Sequence, residues 1–215
     1  MWYIKRCISV HRYPGNINYK WVIQQWKKQQ GKCGYSQIKM DPTGRNRAQA
    51  LSIDRLDNSK PHDHNNCILV VLPVNLGKNQ MNDKEFRNWL DLIAEHRGSI
   101  RSKITADERT HIQYVLNSGM RNNSNPTRRA RVKCTVTIDE LVEFCNQNRN
   151  CAVTGVPVVW AAKQWNTGSF DRIDNDRGYS LDNIQIVLRN INYMKSNILD
   201  TDQCRDLVNN LLAKN

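Results

Sequence analysis

The sequence predicts an α+β fold of two tandem hairpin-and-helix units with flanking helices, joined by a basic helical connector. The first observation behind this is an internal repeat. Residues 169–195, S-F-D-R-I-D-N-D-R-G-Y-S-L-D-N-I-Q-I-V-L-R-N-I-N-Y-M-K, align without a gap on residues 52–78, S-I-D-R-L-D-N-S-K-P-H-D-H-N-N-C-I-L-V-V-L-P-V-N-L-G-K. Asp54, Arg55, Asp57, Asn58, Asn66, Val70, Asn75 and Lys78 recur as Asp171, Arg172, Asp174, Asn175, Asn183, Val187, Asn192 and Lys195. Fixed-register recurrence of this kind marks repeated structural units. The second observation lies upstream of each copy, where a polar turn carries one cysteine, Q-Q-G-K-C-G-Y-S and Q-N-R-N-C-A-V-T. The third lies downstream, where Phe86, Trp89, Leu90 and Ile93 recur as Cys204, Leu207, Val208 and Leu211 at helical spacing.

Composition sets the outer bounds. The 215 residues suit one domain or two small ones, and the repeat favours two, with boundaries at 1–98, 99–135 and 136–215. Lysine and arginine number 32 against 20 aspartates and glutamates, a formal net charge of +12 that favours a polyanionic partner. No apolar run approaches membrane-spanning length, and M-W-Y-I-K-R lacks the apolar core of a secretory signal, so a soluble, non-secreted protein is expected. Its seven cysteines are scattered and never spaced C-x-x-C. That pattern predicts free thiols in an intracellular, reducing compartment, viral and organellar settings included, and no structural zinc.

Along the chain, Ile4, Ile8 and Val10 share one face of a short strand ended by Pro14 and Gly15. A helix over residues 18–30 turns Val22, Ile23 and Trp26 inward and stops at Gly31. Residues 36–50 form a polar surface loop. The first unit follows, with strands at 52–55 and 66–71, a bend between them, a short helix from about Pro73, and a closing helix over 83–96. His62 and His64 fall in the bend and read as exposed loop histidines. The T-x-x-E of Thr105 and Glu108 predicts a capping box, starting a helix that runs to Gly119 with Ile112, Val115 and Leu116 inward.

Between Glu108 and Asp139 there is no acidic residue, whereas Arg121, Arg128, Arg129, Arg131 and Lys133 are all present. This basic strap is expected to meet phosphates, with affinity that falls as salt rises. Thr137 and Glu140 form a second capping box, heading a helix with Ile138, Leu141, Val142 and Cys145 at i, i+3, i+4 and i+7.

The combination R-R-A-R, C-A-V-T-G, the D-R-I-D repeat unit and N-Y-M-K-S-N resembles the HNH endonucleases of the phage and intron-homing type, closely over residues 127–197 and faintly over 30–80. The resemblance implies a ββα-metal unit, two short strands and a helix holding one divalent ion. It implies that Asp171 and Asn192 ligate the metal, that Asn183 ties the hairpin loop, and that Lys195 lies near phosphate. Asp54, Asn75, Asn66 and Lys78 are the first-unit equivalents. Mg2+ or another hard divalent cation suits a carboxylate and an amide, since such ions take oxygen ligands and keep waters and phosphate oxygens.

The sequence departs from the family at one position. Histidine, the usual general base after the strand-end aspartate, is replaced by Arg172 and Arg55, which stay protonated and cannot accept the water's proton. Asp174 and Asp57 are the carboxylates available as bases, or else they pair with those arginines. The expected activity is hydrolysis of phosphodiester bonds in double-stranded DNA, by a monomeric pseudo-dimer with one site per half. The alternative is a catalytically weak or inactive HNH-fold protein that binds DNA or serves a structural role.

Overall fold

The computed structural model describes residues 15–96, 98, 102–123 and 133–215. The N-terminal alternation at Ile4, Ile8 and Val10 lies outside them, as do Arg128, Arg129 and Arg131 of the basic strap. The elements run α1 (Tyr19–Lys28), β1 (Leu51–Arg55), β2 (Cys67–Val71), α2 (Leu72–Lys78), α3 (Asp83–Glu95) and α4 (Ala106–Asn123). They continue with α5 (Ile138–Gln147), β3 (Gly168–Arg172), a 3-10 turn (Leu181–Asn183), β4 (Ile184–Leu188), α6 (Arg189–Lys195) and α7 (Thr201–Leu212). No helix among the described residues is long and apolar enough to cross a membrane.

Two compact units emerge, one of Met1–Ala94 together with Tyr193–Asn215, the other of Glu95–Asn192. This differs from the tandem division expected at 98 and 135. The connector helix α4 belongs with the second hairpin, and α7 belongs with the first. The apolar stripe of α7 fixes where it must be buried but not against which half, and burial against either would satisfy the same spacing.

In the first unit, α1 begins at Asn18, whose side chain accepts from Trp21 N, and buries Trp21 and Val22; Ile23 and Trp26 are only half-buried. Gly31 turns the chain with φ of 70°, and a Cβ there would lie 2.9 Å from the Trp26 ring, so the expected stop is enforced twice. β1 and β2 pair antiparallel with Ile53 opposite Leu69 and Asp54 opposite Ile68. Gln29 extends the outer edge of β2 as a strand would, its Nε2 donating to Leu69 O at 2.7 Å and its Oε1 accepting from Leu69 N at 3.0 Å. α2 starts directly from β2, with Leu72 N donating to Ala50 O. Phe86, Trp89, Leu90 and Ile93 of α3 are buried, as are Cys204, Leu207, Val208 and Leu211 of α7. Asn215 donates to Arg87 O and to Asp91 Oδ1, tying the C-terminus to α3.

In the second unit both expected capping boxes form. Thr105 and Glu108 exchange hydrogen bonds at the start of α4, and Thr137 and Glu140 do so at the start of α5. Ile112 and Leu116 face inward from α4, and Leu141 and Cys145 from α5; Val115, Ile138 and Val142 are half-buried. β3 and β4 pair with Phe170 opposite Ile186 and Asp171 opposite Gln185, repeating the first hairpin's register. Gly168 opens β3 because a Cβ would approach Val158 Cγ1 to 2.5 Å, while Trp160 stacks on Phe170 with ring centroids 4.8 Å apart. The six described cysteines are free thiols, five of them buried and Cys134 half-buried.

Candidate functional site

Several of the repeated polar residues make matching bonds in the two hairpins. Asn66, which closes the first bend, donates through Nδ2 to Asp57 O and Pro61 O and accepts at Oδ1 from Asp57 N. Asn183 donates to Asp174 O and Gly178 O and accepts from Asp174 N. Both amides are buried, and each spans its bend with three backbone bonds.

The arginines that follow the strand-end aspartates also behave alike. Arg55 Nη1 donates to Asn58 O and Lys60 O at 3.0 and 3.1 Å. Arg172 Nη1 donates to Asn175 O and Arg177 O at 2.8 and 3.0 Å, and its guanidinium lies over the Tyr179 ring. These side chains curl back into their own bends and staple them.

Asp57 and Asp174 are turned to the same task. Asp57 Oδ1 accepts from Ser59 N and Ser59 Oγ, and Lys60 pairs with its Oδ2. Those hydrogen bonds from Ser59, with Lys60 adding to them, pull its carboxyl down to about 2, which leaves it a poor proton acceptor at neutral pH. Asp174 Oδ1 accepts from Asp176 N. The expected pairing of these aspartates with Arg55 and Arg172 is therefore replaced by two separate staples, because the bend's own backbone groups lie closer and need partners. Arg177 and Asp182 pair across the second bend.

Of the two bend histidines of the first unit, one differs from expectation. His62 is buried, and its carbonyl accepts from Asn16 N. His64 is exposed but stacks on Trp21 with ring planes 5° apart. The segment after Gly15 thus covers this bend, which sequence spacing alone did not indicate.

The proposed metal ligands lie on the strand ends and helices. Asn75 Nδ2 donates to Ser52 Oγ at 2.7 Å and to Ile53 O at 3.2 Å. Asn192 Nδ2 donates to Ser169 Oγ at 2.7 Å and to Phe170 O at 3.1 Å. Among the described residues, Oδ1 of neither amide accepts a hydrogen bond, so each asparagine is pinned by its nitrogen with its oxygen left over. Ser52 and Asp54 are two apart on β1 and share a face, as do Ser169 and Asp171 on β3. The geometry therefore seats amide and carboxylate on one side of each strand. The two serines were missed as participants, although both stand in the aligned repeat and their recurrence was the available signal.

The carboxylates themselves are only 3% exposed. Asp171 Oδ2 accepts from Gln185 Nε2 at 2.7 Å, where the first hairpin has Ile68. Lys78, wholly buried, places Nζ 3.3 Å from Oδ1 and 3.2 Å from Oδ2 of Asp54 and donates to Arg55 O at 2.7 Å. Burial lifts the Asp54 carboxyl to about 6, and the Lys78 ammonium holds it from rising further. Lys78 is thus not a surface cation beside phosphate, and Lys195 is also wholly buried. The reason is that the last turn of each short helix faces the core, so the lysine stem packs inward.

Nearby, Tyr35 OH donates to Asp83 at 2.8 Å and its ring packs edge-on against Phe86. Burial drives the Tyr35 phenol far above its usual range, leaving it neutral. Among the described residues no group of three or more His, Cys, Asp or Glu could hold a metal. Any ion here would depend on one carboxylate and one amide oxygen, completed by water and phosphate. The second hairpin fits that donor set.

Of the nucleic-acid candidates, Lys133 is exposed, and its carbonyl accepts from Tyr179 N while Thr135 N donates to Tyr179 O. The strap's end therefore runs alongside the second bend. Arg121 lies on α4. No protein-family model, curated protein or solved structure matches the chain.

Proposed function

We propose that the protein is a divalent-metal-dependent DNA endonuclease whose second hairpin and helix carry the chemistry. The observation that carries this is the Asn192 amide, pinned through its nitrogen to Ser169 and Phe170 with Oδ1 open on the face of β3 that holds Asp171. An amide fastened by both of its donors presents an oxygen and nothing else, which is what a hard cation requires. Gln185 orients the Asp171 carboxylate, and Asn183 holds the loop that follows. A bound ion such as Mg2+ would supply Lewis-acid stabilisation of charge on the scissile phosphate and leaving oxygen. The net charge of +12, with Arg121, Arg128, Arg129, Arg131 and Lys133 in one stretch, supports DNA as the polyanion.

Incubation with supercoiled plasmid and Mg2+ or Mn2+ tests the reading. Cleavage should appear, be abolished by chelation, and fall at least about 100-fold in Asp171→Asn and Asn192→Ala. DNA binding by mobility shift should persist in both variants.

A second reading has its own support. Arg55 and Arg172 are both spent on loop carbonyls, and neither can accept a proton, which favours a hairpin fold retained for binding without turnover. Salt-sensitive DNA binding by the unmodified protein, with no cleavage at any metal concentration, would decide for it.

A further inference from the structure

We propose that the first half holds duplex DNA by its phosphate backbone, on a basic face built from the end of α1, the cysteine turn and the loop that follows it. The proposal rests on the DNA-directed reading above and adds to it a binding surface outside the basic strap. Charge marks the stretch first. Asp41 is the only acidic residue before Asp54, whereas Lys27 and Lys28 end α1 and Lys32, Lys39, Arg45 and Arg47 lie between α1 and β1. All six basic side chains are exposed. Among the described residues none of the six pairs with an acid, whereas Lys60, Arg87, Arg109 and Arg205 do. The Asp41 carboxylate closes the loop that carries Arg45 and Arg47, accepting from Thr43 N, Thr43 Oγ1 and Asn46 N.

The backbone sets two of these lysines against each other. Cys33 N donates to Ile38 O and Met40 N to Gly31 O, both at 2.8 Å. Lys32 and Lys39 therefore oppose one another as an antiparallel pair of the non-hydrogen-bonded kind, in which side chains come closest. Like charges directly opposite destabilise such a pair, and a phosphate seated between them removes the repulsion.

The second half shows that the turn does not require this charge. There Cys151 N donates to Val156 O and Val158 N to Arg149 O, again both at 2.8 Å, and the opposed residues are Asn150 and Pro157. The same backbone turn is thus built with and without the two ammonium groups, and only the first copy carries the repulsion.

The face is also fastened to the hairpin. Gly34 N donates to Leu69 O at 2.9 Å, and Gln29 bonds both backbone groups of Leu69, so the turn is fixed to the outer edge of β2. Leu51 N donates to Asp41 O, which ties the loop to the start of β1. A phosphate meets groups whose backbone is already ordered, which lowers the cost of binding. Contacts of this kind fix where a protein sits on a duplex without reading its sequence, and they draw their strength from released counterions.

The test is binding of the full-length chain to a duplex of arbitrary sequence, in EDTA so that no cleavage intervenes, read by fluorescence anisotropy between about 50 and 200 mM KCl. Lys32→Gln with Lys39→Gln should weaken binding and lower the slope of log K against log salt by about 2, one phosphate contact for each lysine. Lys32→Arg with Lys39→Arg should keep the wild-type slope. Arg109→Gln with Arg205→Gln removes the same positive charge from side chains already paired with acids, and should leave the slope unchanged. The glutamine pair should melt no lower than the wild type, since the opposed charges are gone.

An unchanged slope in the glutamine pair, or an equal fall in the arginine control, overturns the proposal. If the slope is unchanged and the glutamine pair instead loses binding to phosphatidylserine vesicles, the face serves a membrane surface and not DNA. Failure of the nuclease reading is distinguishable: cleavage with an unchanged slope sinks only the basic face, and a lowered slope without cleavage sinks only the nuclease.

Discussion

Asp54 has the chemistry most sensitive to solution conditions. Its carboxyl is lifted to about 6, chiefly by burial, whereas in the unfolded chain it titrates near 3.9. A folded-state value above the unfolded one means that the fold holds this proton more tightly. The stability so gained is complete below about pH 4 and is lost as pH rises through about 6, a change of about 3 kcal/mol for two units. Urea unfolding at pH 4.5 and 7.5 should show this dependence in the wild type and lose it in Asp54→Asn. The opposing group is Asp57, held near 2, whose contribution fades only as pH falls from about 4 towards 2, so the windows do not overlap. A second residue-level expectation concerns Ser169. Ser169→Ala removes the 2.7 Å anchor of Asn192 Nδ2 and should weaken metal-dependent cleavage by about 10- to 100-fold, with Ser169→Thr restoring most of it. Metal titration of the cleavage rate separates this from a general loss of fold.

At the scale of elements, local chemistry fixes the helix starts and the hairpins. Thr137 and Glu140 satisfy each other's backbone donors at α5, and Asp200 and Gln203 do the same at α7. Thr137→Ala should cost about 1 kcal/mol, seen as a lower urea midpoint with unchanged slope. The box at α5, like that of Thr105 and Glu108 at α4, was legible because capping needs only residues three apart. The hairpins were legible for a similar reason. Asn66 and Asn183 bond backbone groups within nine positions, and the repeat displays them twice. What could not be read was the direction in which Arg55, Arg172, Asp57 and Asp174 turn. Strand alternation predicts a shared face only while the strand lasts, and β1 and β3 both end at the arginine. Beyond that point the bend's own carbonyls and amides recruit the charged side chains.

For the whole molecule, the unexpected feature is the membership of α7. Its buried stripe, Cys204, Leu207, Val208 and Leu211, lies in the compact unit that contains the first hairpin and α3. Deleting residues 201–215 should therefore destabilise the first half even though the cut is made at the opposite end of the chain. Hydrogen exchange should show faster exchange in β1, β2 and α3. Unchanged protection there, with loss confined to the second hairpin, would contradict the division. Buried leucine and valine side chains each contribute about 1.5–3 kcal/mol, so the loss should exceed that of any single cap.

By itself the sequence determined the periodicities: two copies of a hairpin and helix, the caps that start α4 and α5, the apolar stripe of each closing helix and the excess of positive charge. These depend on neighbours within a few residues, or on an alignment of the chain with itself. Tertiary structure alone decided what the charged and amphipathic groups would meet. It turned Lys78 inward onto Asp54, left Asn75 and Asn192 fastened by their nitrogens, and buried α7 with the first half. A side chain's partner depends on which surfaces are brought together and on how much water they exclude, and neither is encoded at any fixed spacing along the chain.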